Sequence, residues 1–232
     1  MLKLTNYGIM AGIGMFVGLS LLSNISFVLI FTIILTFIIK SFVCQKCNKV
    51  FSLSAFLGIF PILLLFTIND CDYLKEILVG LAIACAIGRI GCYFVGCCTG
   101  KICKSNIPFS IKYNEGSVIV DKYNKKPCSV YSTIYLEIVF QLLIAYLTWY
   151  LSYGILVFGI GNALLLMLSS FWRAQPRENQ YLSITSLLLF SLLSYYFCGK
   201  GKNKCCNQWN PNISNGIISI ITAIITSNNI FI

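Results

Sequence analysis

Long apolar runs separated by short polar joins organise this chain. They lie at 7–22, 25–43, 50–68, 77–97, 133–151, 154–172 and 181–198. A helix rising 1.5 Å per residue needs about 20 residues to cross a hydrocarbon core of about 30 Å. The pattern therefore predicts seven spans. The first run is short and meets the second at Ser23-Asn24, so six spans with one long bent helix is the alternative. The opening Met1-Leu2-Lys3 has the look of a signal peptide, but no small-residue cleavage site follows, which predicts an uncleaved span.

The longest polar stretch, 99–132, predicts a small extramembrane lobe. It holds two strand-like pieces, 109–113 and 117–120, around the turn signal Asn114-Glu115-Gly116. After Cys198 the chain turns basic, then Asn-rich, then weakly apolar at 217–225, too short to span. The expected fold is all-α integral membrane: a polytopic helical bundle of about seven spans over residues 1–198, with the lobe at 99–132 and a surface-lying tail at 199–232.

Composition points the same way. Hydrophobic residues make up 58% of the 232 positions and charged residues 10%, with a mean hydropathy of +0.84. Soluble domains run at about 45–50% apolar and about 25% charged; here polar side chains are too few to cover a water-facing globule. The net charge of +10 accordingly suggests anionic lipid headgroups. Nucleic acid is not an expected partner, because no basic patch interleaved with aromatics occurs. Seven spans sort the lysines and arginines outside the membrane twelve to four, which puts the amino terminus and the 99–132 lobe in the cytoplasm by the positive-inside rule.

Two counts limit the chemistry. There is no histidine, which removes the usual general base and the commonest metal ligand. There are twelve cysteines at irregular spacing, several of them inside apolar runs. Cys44-Gln45-Lys46-Cys47, joined by Cys97, Cys98 and Cys103, allows a thiolate zinc site or a redox pair. Small buried hydrophobes are the commoner use of free cysteine.

One arginine sits deep in an apolar run. Arg89 is thirteenth in the run that begins at Ile77, where a charge costs about 2.5–3.5 kcal/mol on insertion scales. Glycines at 88, 91, 96 and 100 surround it and free the backbone for close approach or for a break in the helix. A guanidinium fork beside a broken helix suits the phosphate of an anionic lipid. The competing reading pairs Arg89 with Glu137, the one carboxylate inside a run. Physics alone leaves the two level. Glu137 and Gln141, four apart on one helical face, are expected to point into the bundle.

The segment from Gly88 to Lys101 resembles the signature of the bacterial prolipoprotein diacylglyceryl transferases, in its Gly-Cys-Cys form. Tyr7-Gly8-Ile9-Met10 resembles that family's first-span Tyr-Gly motif, and 108–113 sits where the family carries a short strand. Lys126-Pro127-Cys128-Ser129-Val130-Tyr131 resembles its His-Pro-x-Gln-Leu-Tyr motif, and Phe171-Trp172-Arg173 its aromatic-aromatic-Arg. These pieces occur in the family's order. The resemblance implies an enzyme that moves the diacylglyceryl group of phosphatidylglycerol onto the lipobox cysteine thiol of a prolipoprotein signal-peptide segment, releasing glycerol phosphate, with no metal or organic cofactor. It further implies that Arg89 is catalytic and holds the phosphate. Gly91, Cys92 and Gly100 would form the signature loop at the substrate, Tyr7 would line the lipid pocket, and Tyr131 and Arg173 would contact the headgroup.

The chain departs from the family's pattern at several points. Cys92 stands for an asparagine, Val95-Gly96-Cys97 for Asn-Gly-Glu, Lys126 for a histidine and Ser132 for a glutamate. A second arginine of the family, seven residues before the aromatic-aromatic-Arg, is Leu166 here, so Arg173 or Arg177 would have to stand in. Without histidine, the base would come from Glu137, a lysine or the substrate thiolate. The resemblance also implies a signature facing the outer side of the membrane, opposite to the charge count. A non-catalytic relative that binds anionic lipid, and a cysteine-based redox or zinc membrane protein, are the other two classes.

Overall fold

The computed structural model describes residues 6–23, 53–68, 70–96, 128–173 and 180–198, with shorter pieces at 29–30, 33, 98, 100–103, 110–114, 117 and 120. Its helices are α1 (Asn6–Ser20), α2 (Leu53–Thr67), α3 (Cys71–Val95), α4 (Thr133–Tyr150), α5 (Gly154–Trp172) and α6 (Gln180–Cys198), and its strands β1 (Ser110–Tyr113) and β2 (Cys128–Tyr131). Four stretches are long and apolar enough to cross a membrane: Cys71–Phe94, Thr133–Tyr150, Gly154–Trp172 and Gln180–Cys198. The protein is a mostly helical integral membrane protein. The expected span at 25–43, apart from Leu29, Ile30 and Ile33, and the tail at 199–232 lie outside the described residues.

The helices pack in the order α1, α3, α4, α5, α6, α2. Polarity is reversed relative to a soluble bundle. The buried face of α4 carries Thr133, Glu137, Gln141 and Thr148, while Tyr135, Val139, Leu142 and Tyr146 of the same helix face outward. Apolar side chains outside and polar ones inside is the arrangement that lipid favours.

Backbone contact sets the α1–α3 join. A Cβ added to Gly18 would sit 2.5 Å from the carbonyl oxygen of Gly80, and one on Gly14 would sit 2.7 Å from that of Ala84. Small residues at such spacing let membrane helices approach closely. The two helices run antiparallel, and Ser23 donates from N–H and hydroxyl to Glu76 at the far end of the join. Carried to the start of α1, that register brings Tyr7 level with Gly91.

α3 begins six residues earlier than the apolar run at 77–97 suggests. Asp70 caps it, its side chain accepting from the N–H groups of Asp72 and Tyr73, so polar residues extend the helix beyond the apolar stretch. It ends at Gly96, whose φ of 70° is left-handed and whose N–H donates to the Cys92 carbonyl. Of the two uses the sequence leaves open for the signature glycines, Gly96 serves as a break that ends the helix. The disulfide Cys71–Cys198 ties the start of α3 to the end of α6.

In the lobe, β1 is observed at the predicted place, but its partner differs. It pairs antiparallel with β2, Ser110 opposite Tyr131 and Tyr113 opposite Cys128. Of the piece at 117–120 the described residues are Ser117, which closes a turn onto the Asn114 carbonyl, and Val120, which is buried with Tyr113 and Val130. The apolar residue expected to alternate in a strand fills the lobe's small core instead.

Candidate active site

The deep end of α3, the start of α4 and the end of α5 meet around one carboxylate. Glu137 is fully buried. Its Oε2 lies 2.7 Å from Nε of Arg89, and its Oε1 accepts a hydrogen bond from Arg173 at 3.2 Å. Arg89 itself is 7% exposed. The pairing that the sequence leaves open therefore exists, and a second guanidinium shares it. Two cations on one anion leave a net positive charge in a buried site. Arg173 Nε is buried without a hydrogen-bond partner, so the cluster keeps donor capacity beyond what Glu137 satisfies.

The signature loop is stitched to the other two elements. Lys101 N–H donates to the Trp172 carbonyl, Gly100 bridges to Arg173, and Ile102 bridges to Val130 of β2. The Thr133 hydroxyl, at the first residue of α4, donates to the Cys98 carbonyl at 3.1 Å. These bonds seat Arg173 beside Cys98, whose side chain hydrogen-bonds it. Burial disfavours the Arg173 cation, but Cys98 and Glu137 outweigh that cost and the neighbouring Arg89, so its pKa ends above the usual arginine value. Cys92 lies 4.0 Å from Arg89. Each arginine thus touches a thiol.

Of the sequence-predicted residues, Arg89, Cys92, Gly91, Gly100 and Arg173 converge here. Gly91 and Cys92 are buried in the last turns of α3, and Gly100 is buried in the loop that follows. Tyr7 lies in α1 and Tyr131 in β2, but their side chains, like Arg177, Cys44, Cys47 and Cys97, lie outside the described residues. Leu166 is an apolar core residue packed with Ala163 and Leu187, and Arg173 supplies the second guanidinium from two turns further along. Gln141 does not join Glu137; its Nε2 donates to Asn162 Oδ1 at 2.8 Å, and Asn162 Nδ2 donates to the Phe158 carbonyl. Sequence reasoning missed Cys98 as an arginine partner and missed the Cys71–Cys198 bond. Neither has a local signal, since the partners are distant in sequence. Among the described residues no group of three His, Cys, Asp or Glu side chains is arranged to hold a metal ion.

A family model described as prolipoprotein diacylglyceryl transferase matches residues 52–198, more than half of the chain. A phosphatidylglycerol–prolipoprotein diacylglyceryl transferase of Clostridium tetani (strain Massachusetts / E88) is 29% identical over 126 residues, covering 49% of this chain and 46% of that protein. The chain therefore spans about half the length of the curated relative it matches. No solved structure matches.

Proposed function

The chain belongs to the prolipoprotein diacylglyceryl transferase family, and from that premise we propose that it transfers the diacylglyceryl group of phosphatidylglycerol to the thiol of a lipobox cysteine in a prolipoprotein signal-peptide segment, releasing glycerol phosphate. The observation that carries this reading is the pair of buried guanidiniums, Arg89 and Arg173, gathered on Glu137 beside the signature loop. Breaking the bond between the glyceryl carbon and the phosphate oxygen develops charge on the departing phosphate. Preorganised donors in a site of low dielectric stabilise such charge, and removing one typically costs about 10²–10³ in rate.

In this reading Glu137 is the resident anion. It holds the two arginines in register while no lipid is bound, and the unsatisfied Arg173 Nε–H is available to a phosphate oxygen. Gly91, Cys92 and Gly100 form the wall of the site, and α1 brings Tyr7 to the level of Gly91. The protein works as a multi-pass membrane enzyme, of the plasma membrane in a bacterial source and of the host membrane otherwise, drawing its lipid directly from the bilayer.

The test is transfer in detergent from labelled phosphatidylglycerol to a lipobox peptide. Thioether-linked diacylglyceryl on the peptide, lost in Arg89→Ala, is the expected result. Lipid binding without transfer would support instead the non-catalytic relative, which the Arg89–Glu137 pair, read as purely structural, would suit.

A further inference from the structure

Beside the α1–α3 join lies a partly open cleft of about 390 Å³. Met15 and Leu19 of α1, Phe60 of α2, and Ile77, Leu81 and Ala84 of α3 line it, and the touching backbones of Gly18 and Gly80 close one wall. Its size falls among small-ligand sites, which run at about 300–1,000 Å³. Every side chain that lines it is apolar. A buried water needs polar partners, so such a space stays dry and favours hydrocarbon.

Position and length narrow the occupant further. Ile77, Leu81 and Ala84 recur at helical spacing on one face of α3. Gly88 continues that face one turn beyond Ala84, and there an added Cβ would meet nothing within 4 Å. Arg89, the next residue, belongs to the cluster that gathers on Glu137. From Gly88 to Ile77 the helix rises about 16 Å. One leaflet of a bilayer is about 15 Å of hydrocarbon deep, half of a core of about 30 Å. Arg89 lies five residues from Phe94, where the membrane-crossing stretch ends, so it sits near one edge of the hydrocarbon. A chain that starts beside Gly88 therefore runs inward and reaches Ile77 near its methyl end.

We infer that this cleft seats one acyl chain of the phospholipid whose phosphate lies at Arg89. The inference rests on the phosphate reading of the arginine cluster given above. The chain enters beside Gly88 and lies along α3 past Ala84 and Leu81. Affinity is not what the slot supplies, since the chain leaves one apolar medium for another. Its contribution is direction. A lipid held by its phosphate alone pivots about that contact, whereas a chain laid along α3 fixes which way its glyceryl carbon faces. Misplacing a reacting atom by 1 Å costs about 10²-fold in rate. Leu81, about 12 Å along α3 from Arg89, is a positioning residue that only a long chain meets.

Two measurements test this, and the first needs no activity. Phosphatidylglycerol carrying a diazirine near the methyl end of one chain is placed in nanodiscs with the intact protein. After illumination the labelled peptides are sequenced by mass spectrometry. Label should concentrate on Ile77 and Leu81, and moving the diazirine toward the carboxyl end should shift it to Ala84 and Gly88. Leu81→Trp fills the cleft and should remove most of that label. Label no richer there than on the outward faces of α4 and α6, at Val139 and Leu192, would overturn the proposal. So would label that ignores Leu81→Trp.

The second measurement is donor preference in the transfer assay. Leu81→Trp should lower the ratio of dipalmitoyl to dihexanoyl phosphatidylglycerol used, by up to about 10²-fold, because the short chain ends before Leu81. A ratio between two donors does not depend on how much of the variant folds. Leu81→Ala widens the slot instead and should raise the use of a diphytanoyl donor, whose chains are methyl-branched, relative to dipalmitoyl. Unchanged preference in both variants would overturn the slot and leave the transferase reading intact. A wild type that is labelled in the cleft yet transfers nothing would overturn the transferase reading and leave the slot standing.

Discussion

Replacing Glu137 with glutamine removes the anion from between two guanidiniums while preserving shape. Glu137 is fully buried and Arg89 nearly so, with the carboxylate 2.7 Å and 3.2 Å from its two partners. Removing one partner of a buried ion pair costs about 3–5 kcal/mol, because the remaining charge stays desolvated. Here two cations are left facing each other, which puts the loss toward the upper end. At about 2–4 °C per kcal/mol for a chain of this size, the thermal midpoint in neutral detergent should drop by roughly 10–15 °C. If the cluster is a phosphate site, an anionic phospholipid replaces the missing charge. Phosphatidylglycerol at about 100 times its Kd contributes about 2.7 kcal/mol, recovering roughly half of the loss, whereas phosphatidylcholine should recover little. Differential scanning fluorimetry of wild type and Glu137→Gln in both lipids reads this directly. A midpoint shift under about 2 °C, or equal rescue by the two lipids, would refute the reasoning.

Other consequences follow from particular contacts. Gly18→Leu should disrupt the bundle, since even a Cβ there meets the Gly80 carbonyl oxygen at 2.5 Å, whereas Gly88→Ala, with nothing within 4 Å of its Cβ, should be neutral or stabilising by up to about 1 kcal/mol in a thermal scan. Reduction, or Cys71→Ser, should lower the thermal midpoint, because the bond closes 127 residues and such a loop stabilises by at most about 4–5 kcal/mol on the chain-entropy model. Transfer at low temperature should survive, since Arg89 lies about 27 Å along α3 from Cys71. Disulfides persist on the oxidising side of a membrane, and this one sits at the lysine-poor end of the bundle, so the orientation expected from the charge count is open to a direct test. Membrane-impermeant maleimide should then spare Cys103 in intact cells and label it in inverted vesicles; labelling from outside would contradict this and favour the orientation that the family resemblance implies.

Much of the scaffold was legible because lipid imposes simple rules. The apolar runs at 133–151, 154–172 and 181–198 match α4, α5 and α6 within a residue or so, since a spanning helix must satisfy its own backbone and present apolar side chains to hydrocarbon. The break after Val95 was legible through Gly96. The early start of α3 was not, because a cap such as Asp70 acts through local hydrogen bonds that hydropathy ignores. The β1 partner was misplaced because short strands take their pairing from the tertiary core, here Val120 and Val130. At the site, Arg89 and Glu137 announced themselves as charges inside apolar runs. Arg173 enters only through the family resemblance, as a headgroup contact and a stand-in for the second arginine, and its inward turn depends on Ser169 and the Lys101–Trp172 bond, neither of which a motif encodes. Cys98 enters the sequence reading only as one thiol of a possible zinc or redox set, and the place of its loop beside Arg173 comes from tertiary bonds that a motif does not encode.

The central claim is that Arg89 and Arg173 together hold the phosphate that departs. The most direct measurement uses phosphatidylglycerol labelled separately in its glyceryl and phosphate moieties, with a lipobox peptide, in wild type, Arg89→Ala and Arg173→Ala. Wild type should yield thioether-linked diacylglyceryl and free glycerol phosphate in equal amounts, with each variant slower by about 10²-fold or more. Unimpaired transfer in either variant, or glycerol phosphate released without thioether, would contradict it.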